Sequence, residues 1–254
     1  MVIWETLIVA FSMFSAIPVP QIAWNERNMR YSLCAFPLVG AMIGLLCWGW
    51  IWLCGALAAP AVLRGAGFCL IPVLVTGGIH LDGYADTCDA LACHGGPEQR
   101  QQILKDPHLG AFAAIRLCVY FLAMFALCTS LDGLPLSAAL GLFGLSRCLS
   151  ALALTAFPLR EGSGLARTFA DAADKARVRR MLIPMAACCV VLLSIGRGLL
   201  AAVAAGFVFL YYRRLCSKQF EGLSGDLAGW FLQTAEIWMV GMLVLEQLIR
   251  GVIA

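Results

Sequence analysis

Residues 65–89 read Gly-Ala-Gly-Phe-Cys-Leu-Ile-Pro-Val-Leu-Val-Thr-Gly-Gly-Ile-His-Leu-Asp-Gly-Tyr-Ala-Asp-Thr-Cys-Asp. An uncharged apolar run, Gly65 to Ile79, leads directly into three carboxylates, Asp82, Asp86 and Asp89. On a helix that spacing gathers all three within an arc of roughly 60°. Three like charges on one face repel one another unless a positive group sits among them. Mg²⁺ suits the position, because it takes hard oxygen ligands and keeps open positions for phosphate oxygens. The plain alternative is a solvated acidic turn at the end of a membrane helix. Charges this close to a bilayer core are costly and mark function, which favours the metal reading. His80, Cys88, Cys93 and His94 lack the paired spacing of a zinc site and are read as residues lining the same place.

The rest of the chain supports a membrane setting. It has 254 residues, of which 61% are hydrophobic and only 13% charged, whereas a soluble domain is nearer half apolar and a quarter charged. The twelve cysteines are scattered through apolar runs, where cysteine behaves as a small hydrophobe. They suggest neither a disulfide framework nor a metal cluster. A net charge of +3, with no basic patch or low-complexity tail, gives no reason to expect nucleic acid.

In chain order, residues 6–23 are uncharged but interrupted by Pro18 and Pro20. The apolar part falls short of the ~20 residues of a span, so it reads as a re-entrant or interfacial helix. Membrane helices are expected at about 36–58, 62–79, 110–130, 135–157, 181–195, 199–215 and 230–250. The polar segments between them are 80–108, 158–180 and 216–229. The fold class is therefore all-α: a polytopic integral membrane bundle of about seven helices, forming one domain over 1–254. Thirteen Lys and Arg fall on the N-terminal segment and these polar loops, against three (Arg64, Arg197 and Arg250) on the opposite side. The positive-inside rule places the polar loops, with Asp82, Asp86, Asp89, Asp106 and Asp226, in the cytoplasm.

Acidic residues from separate loops beside Gly162, Gly164 and Gly225 suggest a diphosphate site, where backbone N–H groups approach phosphate closely. Lys105 and Arg147 are candidate phosphate contacts. Arg147 is the sharper case, since an arginine inside an apolar helix should face the bundle interior. Asp226 precedes the final expected helix, so its carboxylate could simply cap it. Arg177, Arg179 and Arg180 read as topology determinants and lipid-headgroup contacts.

The Gly-Gly-x-His-Leu-Asp-Gly-x-Ala-Asp-Thr-x-Asp stretch resembles the signature of the cobalamin synthase family, the adenosylcobinamide-GDP ribazoletransferases. Further blocks resemble the same family. They are Phe36-Pro37-Leu38-Val39-Gly40, Lys105-Asp106-Pro107-His108-Leu109-Gly110, Ser146-Arg147, Glu161-Gly162-Ser163-Gly164, and Ser224-Gly225-Asp226 with Gly229 and Glu236. Ala16, His108, Ala113, Leu227 and Gln233 depart from the family pattern. The resemblance implies a Mg²⁺-dependent transferase in the cell inner membrane, its active site facing the cytoplasm. It would join α-ribazole, or its 5′-phosphate, to adenosylcobinamide-GDP and release GMP. Asp82, Asp86, Asp89 and Asp226 would be catalytic, the first three holding the metal. His80, Lys105, Asp106, Arg147, Gly162, Gly164 and Gly225 would bind substrate. The partners are those two substrates and the lipid bilayer, with room for a homo-oligomer or a complex with other late corrinoid-pathway enzymes. A small-solute transporter is the competing reading, but its charges belong near the midplane, with an inverted repeat that this chain lacks.

Overall fold

The computed structural model describes residues 2–160 and 164–253. It is built from twelve helices: α1 (Val2–Phe14), α2 (Glu26–Met29), α3 (Ser32–Ala56), α4 (Ala61–Thr76), α5 (Ile79–Ala92), α6 (Pro97–Ile103), α7 (Ala111–Ser130), α8 (Leu136–Ala156), α9 (Leu165–Ala172), α10 (Lys175–Ile195), α11 (Leu199–Gln219) and α12 (Gly225–Ile253). Among the described residues the only β pairing is a single parallel bridge, Leu159 to Leu223. Among the described residues six helices, α3, α7, α8, α10, α11 and α12, are long and apolar enough to cross a membrane, or seven spans if the bent α4–α5 pair counts as one. Side chains such as Leu122, Phe207 and Leu210 stand exposed on the outside of the bundle, as a lipid-facing surface requires.

The α4–α5 pair departs from the expected straight span at 62–79. The helix stops at Thr76, and α5 sets off at 95° to α4. Gly77 and Gly78 adopt φ of 64° and 82°. Two successive left-handed residues are tolerated by glycine and strained for anything with a Cβ. Other edges also differ. Lys175 to Arg180 form the first turns of α10, α11 runs on to Gln219, and α12 begins at Gly225. Charged residues at these helix ends extend into solvent, so a charge-based boundary falls too far inside the apolar stretch.

Small residues let the helices meet. A Cβ on Gly40 would lie 2.2 Å from the Phe143 carbonyl oxygen, and one on Gly44 2.5 Å from that of Ala139. This small-xxx-small face brings α3 and α8 into backbone contact, the packing that works where lipid removes the hydrophobic drive. The Pro18–Pro20 segment is tied in where the Ala16 amide donates to the Val75 carbonyl at 2.7 Å. Phe14 stacks against Phe36 with centroids 4.2 Å apart.

The bundle has two distinct ends. At one, Arg64 meets Asp132 at 3.8 Å, Gln247 donates to the Gly133 carbonyl and Glu246 accepts from the Leu200 amide. At the other end lie α5, α6, α9 and the first turn of α12, and there the site forms.

Candidate active site

α5 presents the aspartates as the spacing predicts, on a helix whose adjoining face packs on α12. The contact is backbone to backbone. A Cβ on Gly83 would sit 2.7 Å from the Asp226 Cα, and one on Gly229 2.7 Å from the His80 carbonyl oxygen. Glycine at both positions lets Asp82 and Asp226 come to the same place. Asp226 lies in the first turn of α12, not before the helix as the sequence reading has it. Its carboxyl oxygen is 3.3 Å from Ser224 Oγ, and that hydroxyl also accepts from the Leu227 amide at 3.3 Å. The first turn of α12 is thus capped by Ser224, which leaves the Asp226 carboxylate available.

A cavity of about 400 Å³ opens here. It is lined by His80, Asp82, Lys105, Gly164, Gly225 and Asp226, all expected site residues, together with Ser150, Arg160 and Ser224. Met13, Phe14, Phe36, Leu154, Phe169 and Leu232 supply much of its apolar wall. Arg160 is the feature that sequence reasoning missed, having counted it only as a topology charge. Its amide donates to the Leu223 carbonyl at 3.0 Å, and the Leu223 amide donates to the Pro158 carbonyl at 2.8 Å. The backbone is pinned, and the side chain is only 7% exposed. Its Nε and Nη1 nonetheless have no hydrogen-bond partner among the described residues. Buried guanidinium nitrogens without partners are expensive unless a ligand supplies them. Ser150 Oγ and His80 Nε2, which line the same cavity, likewise lack partners among the described residues. Burial, with Arg147 adding to it, pushes the His80 pKa down to about 3, so the imidazole is neutral.

Asp86 and Asp89 lie further along α5, outside the lining. Burial first, then Asp82, Asp226 and Asp89, raise the Asp86 pKa to about 6. The carboxylates are therefore close enough to repel one another. Among the described residues, no ion pair joins any of these four to a cation, although Asp226 lies within the field of Arg160. Asp89 accepts from the Ala113 amide at 3.3 Å, in the first turn of α7. Among the described residues no three His, Cys, Asp or Glu side chains form a ready-made cage for an ion.

Three other expected contacts fall elsewhere. Arg147 does not line the cavity. It is wholly buried in α8, where its Nη1 donates to Ser146 Oγ at 2.9 Å and to Glu236 of α12. An inward-facing arginine has found its counter-charge on a neighbouring helix. Asp106 is exposed and accepts from the His108 amide at 3.0 Å, away from the cavity. Gly162 lies outside the described residues.

A family profile described as Cobalamin-5-phosphate synthase matches residues 6–244. The chain belongs to that family. Within it, the chain is 40% identical to an adenosylcobinamide-GDP ribazoletransferase of Lachnoclostridium phytofermentans, covering 94% of this chain and 93% of the relative. It is 29% identical to the protein of that name from Clostridium botulinum, over 92% and 95% of the two chains. The corresponding protein of Geobacillus kaustophilus is 30% identical over 94% and 95%. No solved structure matches the chain. The matched residues of the cobalamin-5-phosphate synthase family include α5, the Arg160 link and the start of α12, so the whole cavity falls inside the family region.

Proposed function

We propose that the protein transfers α-ribazole, or its 5′-phosphate, onto adenosylcobinamide-GDP, giving adenosylcobalamin or its 5′-phosphate and GMP. Family membership and the shared name of the relatives support the reaction. The observation that carries the assignment to this site is the buried Arg160, with no acidic counter-ion and two unpartnered guanidinium nitrogens among the described residues, facing the same cavity as Asp82 and Asp226. A transporter reading gains nothing from the buried charge pair inside the bundle, since Arg147 and Glu236 are engaged with each other.

The reaction is a displacement at phosphorus. A ribazole hydroxyl oxygen bonds to the cobinamide-linked phosphorus, and the bond from that phosphorus to the bridging oxygen breaks, its electron pair leaving on GMP. The hydroxyl proton passes to Asp226, which Ser224 orients at the mouth of the cavity. Arg160 and Lys105 hold phosphate oxygens, Arg160 through a planar donor face suited to two of them. The apolar wall excludes water, the nucleophile that would otherwise waste the diphosphate.

Asp82, Asp86 and Asp89 are the residues that would hold Mg²⁺. The donor chemistry fits, although the three do not stand as a closed cage: they offer only hard oxygen atoms, repel one another, and have no ion-pair partner among the described residues. When bound, Mg²⁺ neutralises charge that builds up on the diphosphate. The site faces the cytoplasm across the cell inner membrane, as the distribution of Lys and Arg suggests. Purified protein should release GMP only when both substrates and Mg²⁺ are present. GMP formation that ignores ribazole would remove the transferase assignment.

A further inference from the structure

The cavity has a charged mouth and an apolar depth, and two of its walls show this independently. On α12, Asp226 stands in the first turn, while Leu232 lies ~9 Å further along the helix. On α8, which runs the opposite way, Ser150 and Leu154 lie within the helix and Arg160 follows beyond its end at Ala156. The depth is aromatic. Phe14 packs on Phe36 at 4.2 Å and on Phe169 at 5.6 Å between ring centroids.

Ser150 is the anomaly within that depth. Other helix serines, such as Ser146, Ser194 and Ser217, donate to a carbonyl of their own helix. Ser150 is 1% exposed and its hydroxyl has no partner among the described residues. An apolar pocket that retains one uncommitted hydroxyl is suited to a flat ligand with one polar ring atom.

We infer that this depth seats the acceptor's base. The benzimidazole of ribazole lies among Phe36, Phe169 and Leu154, its free ring nitrogen accepts a hydrogen bond from Ser150 Oγ, and its ribose points toward Asp226. This inference rests on the ribazole-transfer reading and assigns the smaller substrate to the cavity. Shape and polarity both favour it. Small-molecule sites span ~300–1,000 Å³, and a cavity of about 400 Å³ has room for one nucleoside but not for a corrin ring with its amide side chains. Guanine fits poorly because its edge carries several donors and acceptors. The depth answers them with only Ser150 Oγ and His80 Nε2. The corrinoid stays at the charged mouth, where Lys105 and Arg160 meet its diphosphate.

The test is equilibrium binding of ribazole, and separately of adenosylcobinamide-GDP, to purified wild-type, Ser150→Ala and Phe169→Leu proteins, with KM values for both substrates alongside. The inference predicts about tenfold weaker ribazole binding and a matching rise in its KM in each variant. Affinity for adenosylcobinamide-GDP should not change. Unchanged ribazole affinity in both variants would overturn it, as would a loss confined to adenosylcobinamide-GDP or a wild-type protein that binds no ribazole. A wild-type protein that binds ribazole through Ser150 but forms no GMP would instead refute the transferase reading and leave the pocket assigned.

Discussion

Two buried arginines of α8 and its extension divide the bundle into regions with different jobs. Arg147, well inside the helix, is 0% exposed, and Arg160, just past its end, is 7% exposed. Arg147 has an acidic partner supplied by the chain itself, Glu236 on α12, with Ser146 bridging the two. The Arg160 side chain has no such partner among the described residues, and Asp226, which lies within its field, shares the cavity with it. The first arrangement is closed and holds helices together. The second is open and leaves its charge without a counter-ion from the described residues; unpartnered guanidinium nitrogens occur in both, Nε and Nη2 of Arg147 and Nε and Nη1 of Arg160. Burial alone does not distinguish a structural charge from a functional one, but whether the charge is answered within the fold does.

The comparison is broken most severely at the open end. Asp82→Asn keeps the shape of the side chain and removes the charge, and should cut turnover on the order of 10³-fold while the protein still inserts. The same variant should lose the rise in melting temperature that Mg²⁺ gives the wild-type protein. Near-normal turnover with an intact Mg²⁺ shift would take the cation away from α5. Arg160→Gln should lower kcat/KM about 100-fold, as removal of one donor to a developing charge does, with little change in melting temperature. A fall in stability without a fall in turnover would make Arg160 a second Arg147.

The closed region should respond in the opposite way. Glu236→Gln leaves the Arg147 charge buried without its partner and should cost about 3–5 kcal/mol of stability, with turnover per folded molecule retained. Replacing both residues, Arg147→Met with Glu236→Leu, should recover most of that loss. Selective loss of substrate affinity in the stable double variant would show that Arg147 does bind substrate. The mildest test concerns the two ends of the bundle. In a background stripped of native cysteines, cysteines at Glu98 and Lys218 should label from the cytoplasm alone, and those at Asp132 and Arg197 from the outside alone. Outside labelling at Glu98 in intact cells would reverse the orientation.

What could be read from the sequence follows the same division. Asp82 and Asp86 announce themselves by spacing after an apolar run, and Asp226 by its Gly-Asp setting. Gly83 and Gly229, which let those carboxylates meet, stand in blocks that resemble the family's, but their packing role is not legible there, because a close approach shows only when both helices are in place. Arg147 was rightly expected to face inward, but its partner Glu236 is distant in sequence and the pairing is set by packing. Arg160 looked like one more positive charge in a basic loop, and only the bridge between Leu159 and Leu223 turns it toward the cavity. Ser150 carries no signal in the sequence, since an unpartnered hydroxyl is a property of three dimensions. The bend at Gly77-Gly78 was hidden because apolar composition continues across it.

The central claim is that the open end performs the transfer, and Asp226 tests it most directly. Asparagine caps a helix about as well as aspartate, and Ser224 already serves the first turn of α12. Asp226→Asn therefore separates a structural role from a chemical one. The measurement is the rate of GMP release by the purified variant with both substrates saturating. The account predicts a folded, membrane-inserted protein with about 100-fold slower release and an altered Mg²⁺ requirement. An Asp226→Asn enzyme with the wild-type rate and the wild-type Mg²⁺ dependence would contradict it.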